Sequence, residues 1–342
     1  MVVINHGYKG QVMEVYNDNY DDKATLYEEL IEANPKYVKL VVIKNNKHSY
    51  IKVKKEKIKD ILELIKKTKD TLVKKFMLFI NFMFGTKKHN FKNELNGYKK
   101  LIKIFKNDVN KYTTIKSGFK YNNYEIYGII FNDNYYIFLE RCFKVIEDIK
   151  FTQETFNKMT KEILETLNIL NANHYIHNDL KPNNIILCKD RFKIIDWEAS
   201  GEINKQPKTI INTRNGNLVY NHPIKFYNLG IPLFMYDYIY GIEIAHYKYI
   251  INSKIQTILR IQILEGFNKV LEKYKQIKKN KKQKITKYSI TYNEIAEDKN
   301  YYMKLLDYYS FALVVIFLAY KNKLEYNKSL IHPILSKFFI EL

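Results

Sequence analysis

The sequence predicts an α+β chain in which a β-rich N-terminal part precedes a mainly helical C-terminal part. Three observations carry this expectation. Strand-like runs precede residue 141, the last two at 126–131 and 135–140 around the turn signal Asn132-Asp133-Asn134. A helix-period stretch follows, with Phe156, Met159, Ile163, Leu167 and Leu170 on one face behind Thr152, a residue type that caps helices. That helix leads into the polar run His177-Asn178-Asp179-Leu180-Lys181-Pro182-Asn183-Asn184, and a short hairpin then ends in Phe192-Lys193-Ile194-Ile195-Asp196.

The polar run has a chemical meaning. Moving a γ-phosphoryl group asks a protein to position a hydroxyl, hold Mg²⁺ on the phosphates and neutralise developing charge. Asp179 can accept the hydroxyl proton. Lys181, two residues on, returns to the same side of an extended loop and can reach the γ-phosphate. Asn184 and Asp196 offer the hard oxygens that Mg²⁺ prefers.

On His177, Asp179, Leu180, Lys181, Pro182, Asn184 and Asp196 the segment 177–196 resembles the catalytic loop and metal-binding strand of the eukaryotic-type protein kinase family, H-R-D-L-x-x-x-N followed by D-F-G. The resemblance implies a two-lobed protein kinase-like fold, with a small β-rich N-lobe and a mainly helical C-lobe that carries a large insertion and a short C-terminus. It divides the chain into an accessory α/β segment or start of the N-lobe over 1–47, an N-lobe over 48–140, and a C-lobe over 141–342 with an insertion at 224–300. It also implies ATP and Mg²⁺ as cofactors, with Asp179, Lys181, Asn184 and Asp196 catalytic and the last two holding the metal.

Other site residues follow from the same resemblance. The hinge would be Arg141-Cys142-Phe143, with the adenine edge against the backbone of Glu140 and Cys142 and with Phe138 or Leu139 behind it. The stretch 93–101 resembles the regulatory helix, which makes Glu94 the partner of a strand lysine. Lys74, in Thr71-Leu72-Val73-Lys74, is the first candidate for that lysine, and Lys44 and Lys52 compete with it. Gly7 and Gly10 match part of a glycine-rich phosphate loop, a two-residue match that leaves its place open.

Several positions depart from the family pattern. Asn178 stands where many protein kinases carry an arginine, Trp197-Glu198 follow Asp196 in place of phenylalanine and glycine, and Ile224 follows Pro223 where glutamate is expected. Asp307, ahead of the apolar run 311–320, reads either as the aspartate that braces the catalytic loop or as an ordinary N-cap at the start of a helix. The long connection before it contains a helix-like stretch at 255–274 and a basic run at 273–287.

Composition bounds the partners. The chain has 57 Lys and Arg against 36 Asp and Glu, a net charge of +21, which favours an acidic protein substrate and keeps nucleic acid as an alternative partner. The two cysteines, Cys142 and Cys188, are too few for a disulfide framework or a metal cluster, which points to a reducing, cytoplasmic setting. The apolar runs 76–84 and 311–320 are shorter than the roughly 20 residues of a membrane span and read as core. The leading function is a serine/threonine protein kinase. A small-molecule or lipid kinase, or a pseudokinase scaffold with a basic surface, are its alternatives.

Overall fold

The computed structural model describes residues 23–44, 47–67, 71–77, 87–132, 134–142, 144–189, 191–203, 220, 261–269 and 296–341. The expectations for Gly7, Gly10, Phe143, Pro223, Ile224 and the basic run lie outside these residues. The described chain forms two compact units. The first draws on residues up to Ile149 together with Asn168–Asn173 and Pro182–Ser200, and the second on Lys150–Leu167, His174–Lys181 and the chain from Gly201. The expected arrangement of a β-rich N-terminal region followed by helices is what the structure has.

In the first unit, α1 (Lys23–Ala33) leads to the hairpin β1 (Tyr37–Lys44) and β2 (Lys47–Lys54), paired from Tyr37↔Lys54 to Lys44↔Lys47. The expected 47/48 boundary therefore falls within a paired hairpin. Alternation along β1 sends Val38, Leu40 and Val42 to one face, where Val53 joins them. On α2 (Ile58–Lys67), Ile58, Ile61 and Ile65 recur at helical spacing and bury against that face together with Leu26 and Leu30 of α1.

The sheet continues through β3 (Thr71–Met77), β4 (Phe119–Tyr121), β5 (Tyr124–Phe131) and β6 (Asn134–Glu140). Its order is β2-β1-β5-β6-β3, with β4 also on β5, and every pairing is antiparallel. The β5–β6 turn forms where the sequence placed it. Phe131 pairs with Asn134, and Asn132 takes φ 43°, a left-handed value that asparagine tolerates. Between β3 and β4 lie α3 (Lys87–Phe105) and the short α4 (Val109–Tyr112).

A second, three-stranded sheet of this unit joins β7 (Lys144–Val145), β9 (Ile185–Leu187) and β10 (Phe192–Ile194) in the order β10-β9-β7. Because Lys144 pairs with Leu187, Cys142 and Cys188 lie side by side just beyond the pairing, and they are joined by a disulfide with a Cα–Cα distance of 4.1 Å. This corrects the expectation from cysteine count. A count of two carries no information on whether the fold brings them together, so the reducing setting inferred from it loses its basis.

The second unit opens with α5 (Gln153–Ala172), which belongs to it up to Leu167 and begins as expected. Thr152 Oγ1 accepts from the Thr155 amide at 3.2 Å, Thr155 Oγ1 accepts from the Thr152 amide at 3.0 Å, and this reciprocal pair is a capping box. All five expected apolar residues of α5 are buried. A side chain ties the start of α5 to the segment between the last two helices, where the Gln153 amide donates to Glu325 O at 2.8 Å and accepts from Glu325 N at 3.0 Å. Strand β8 (Tyr175–Ile176) pairs with β11 (Gly201–Glu202). A helical stretch at 261–269 lies within the expected 255–274 helix.

Helix α6 (Ala296–Asn322) and α7 (Lys328–Ser336) complete the unit. Two expectations change here. Asp307 is in the interior of α6, which excludes the N-cap reading. The apolar run is also longer than 311–320, since Tyr302–Asn322 reaches a mean hydropathy of 1.5 and is long and apolar enough to cross a membrane. Its most apolar window is 83% buried inside the protein, the environment of a core helix.

Candidate functional site

The second unit holds the first half of the polar run. β8 ends at Ile176 and delivers His177, which is fully buried. The Asp307 carboxylate then accepts two backbone hydrogen bonds, from His177 N at 2.6 Å and from Asn178 N at 2.8 Å. Bonds to a charged acceptor contribute about 1.5–3 kcal/mol each, so one helix-borne carboxylate fixes the course of the loop. Asn178 sits at φ 66°, where asparagine is among the better-tolerated residues. His177 Nδ1 accepts from the Asp179 amide at 3.3 Å, and Lys181 Nζ lies 2.9 Å from Asp179 Oδ2. Asp179 and Lys181 retain 25% and 14% side-chain exposure, so both are partly open to solvent.

The first unit holds the rest. Pro182–Asn184 form a single 3₁₀ turn that ends in the fully buried Asn184 and enters β9. Ile195 N donates to Asn184 O at 2.9 Å, which ties the residue before Asp196 to the proposed metal-binding asparagine. Asp196 adopts φ 64° and ψ 68°, turning the chain out of β10. An amide oxygen and a carboxylate on adjoining, mutually bonded backbone are a donor set that suits Mg²⁺.

Trp197 anchors the turn that follows Asp196. It is fully buried and donates from its indole nitrogen to Ile194 O at 3.2 Å. Glu198 follows in the same 3₁₀ turn, Trp197–Ala199, with its side chain half-buried. Gly97 of α3 packs on this turn. A Cβ added there would sit 2.8 Å from Trp197 O and 2.9 Å from Trp197 Cβ. Gly→Ala inside a helix normally stabilises by about 0.5–1 kcal/mol. Here the clash reverses the sign: Gly97→Ala is expected to cost about 1–3 kcal/mol and to lower the melting temperature. A melting temperature at or above wild type would refute the close packing.

The remaining expected site residues are placed as follows. Lys74 lies on β3 and pairs with Ile137 of β6, the strand that ends at Glu140. Glu94 lies on α3, the helix whose Gly97 meets the turn after Asp196. Lys44 pairs with Lys47 at the hairpin end of β1, two strands removed from β6. Lys52 on β2 is exposed and sits 3.9 Å above the Tyr37 ring in a cation–π contact. Phe138 and Leu139 are both buried, and Glu140 N donates to Thr114 O at 2.7 Å.

One contact beside the expected hinge was missed in the sequence. Lys193, on β10, is buried and forms an ion pair with Glu140, and its Nζ also donates to Asn110 O at 2.6 Å. Burial pushes its ammonium below the usual lysine range, against the upward pull of Glu140. The available signal was a lysine inside the otherwise apolar run Phe192-Lys193-Ile194-Ile195, since a charge in such a strand requires a partner.

Similarity to known proteins agrees with this geometry. Residues 66–224 match the protein kinase domain family. The match spans Lys74, Glu94, the hinge, the catalytic loop and Asp196, and ends before Asp307. Over 55 residues, 16% of this chain, the sequence is 36% identical to a probable serine/threonine-protein kinase of Dictyostelium discoideum. Over 45 residues, 12% of this chain, it is 44% identical to the DYRK-family kinase pom1 of Schizosaccharomyces pombe. These stretches cover 11% and 4% of the two relatives, so the chain shares only a small part of their length. The match shows that residues 66–224 of this chain are a protein kinase domain.

Proposed function

We propose that this chain is an ATP- and Mg²⁺-dependent protein kinase of serine/threonine type. The observation that carries the reading is the catalytic loop held by Asp307, with Asp179 and Lys181 paired on it. Positioning of this kind is most of what phosphoryl transfer requires of a protein. Asp179 orients the substrate hydroxyl and takes its proton, and Lys181 compensates charge on the γ-phosphate. Asn184 and Asp196 would hold Mg²⁺, which neutralises phosphate charge when bound. Lys74 is the phosphate-gripping lysine of this proposal, because β3 adjoins the strand that leads to the hinge, while Lys52 is engaged with Tyr37. Glu94 is its partner, and the backbone of Glu140 and Cys142 receives the adenine edge.

The serine/threonine assignment rests on Leu180-Lys181-Pro182 and on the name of the Dictyostelium relative, a probable serine/threonine-protein kinase. A net charge of +21 favours acidic protein substrates. The test is binding followed by transfer. ATP with Mg²⁺ at a hundred times its dissociation constant should add about 2.7 kcal/mol of stability, read as a thermal shift. Radiolabelled γ-phosphate should then pass to serine and threonine peptides. Absence of any nucleotide-dependent shift would overturn the kinase reading, and transfer confined to tyrosine or to small alcohols would overturn the substrate class.

A further inference from the structure

The three residues 140–142, whose backbone receives adenine in the proposed function, are tied at both ends to the β9–β10 hairpin. At one end the Glu140 carboxylate is paired with Lys193, which projects from β10. At the other, Cys142 is bonded to Cys188, the residue after β9. Lys193 is held in turn by Asn110 O at 2.6 Å, and its side chain keeps only 5% of its surface exposed against 18% for Glu140. A lysine this buried has little solvent to fall back on, so the carboxylate and the carbonyl fix it in one place. Hydrogen bonds of the adenine edge come from backbone groups, and their direction depends on how firmly that backbone is held. Its near end is already anchored by Glu140 N on Thr114 O at 2.7 Å.

We infer that Lys193 is a positioning residue for nucleotide binding: through Glu140 it fixes the orientation of the adenine-binding backbone and so sets the affinity for ATP. The inference rests on the kinase reading and extends it to a residue that touches neither nucleotide nor substrate. Lys193→Met removes the charge and keeps the length of the side chain. It should raise the KM and Kd for ATP on the order of tenfold while kcat at saturating ATP changes little, the pattern of lost uniform binding. The preference for ATP over GTP should fall with it, because a loosened edge reads the purine less sharply.

Two further variants separate positioning from folding. Lys193→Arg keeps a cation and should restore most of the ATP affinity. The double variant Lys193→Met/Glu140→Gln removes the half-buried carboxylate that the single variant leaves uncompensated, so its melting temperature should recover towards wild type while its KM for ATP stays raised. A wild-type KM in Lys193→Met, or a KM that recovers together with the melting temperature in the double variant, would overturn the inference and leave the kinase reading standing. Failure of the wild-type protein to bind ATP with Mg²⁺ would overturn both, and the wild-type titration alone identifies that case.

Discussion

Asp179→Asn should lower phosphate transfer by about 10²–10⁴-fold, the usual contribution of a positioned general base, and leave the thermal shift by ATP with Mg²⁺ intact. Asparagine keeps the shape of the side chain and one oxygen, but it cannot take the proton of an attacking hydroxyl. It also removes the negative charge that faces Lys181 Nζ at 2.9 Å. The backbone at this position should stay where it is, because it is held elsewhere: the Asp179 amide donates to His177 Nδ1, and the two residues before it bond to Asp307. Chemistry and binding should therefore separate. Transfer at the wild-type rate in the variant would remove Asp179 from the mechanism. Loss of transfer and of nucleotide binding together would show that it shapes the fold instead.

Asp307→Ala should destabilise the protein more than Gly97→Ala does. It leaves the buried amides of His177 and Asn178 without the carboxylate that accepts from both. Two hydrogen bonds to a charged acceptor together represent about 3–6 kcal/mol, a large share of the total stability of a typical domain. Asp307→Asn retains one acceptor and should lose less, so it keeps the prediction testable if the alanine variant does not fold. In the asparagine variant kcat should fall more than the KM for ATP rises, because the loop carrying Asp179 loses its fixed geometry. Chemical denaturation and initial rates on the same preparation check both halves. An Asp307→Asn protein with unchanged stability and kcat would exclude the bracing role.

What could be read from the sequence was local. The cap and apolar face of α5, the Asn132 turn and the β9–β10 hairpin are encoded within spans of about twenty residues or fewer, and all three form where their residues placed them. The bracing role of Asp307 was readable only through motif order, since it acts across a separation of 130 residues. The N-cap alternative arose because Asp307 stands just ahead of the apolar stretch, whereas α6 itself begins at Ala296. Choosing among Lys74, Lys44 and Lys52 depended on strand order, which no single strand encodes. The disulfide and the Lys193–Glu140 pair depended on register between short strands, and strands of two or three residues leave almost no trace in sequence.

The Cys142–Cys188 bond has a topological consequence. It closes a covalent ring over a sequence separation of 46 residues, and that ring contains α5, β8 and the whole run from His177 to Asn184. An unfolded molecule with this bond intact is a loop with two tails, not an open string. In the chain-entropy account, closing a loop of this size takes about 4 kcal/mol of freedom from the unfolded ensemble. A single backbone cut inside the ring would release no fragment, and the pieces on either side of the cut would remain one molecule. Asp179, Lys181 and Asn184 thus occupy a part of the chain whose two ends cannot drift apart, even when the rest of the fold is lost.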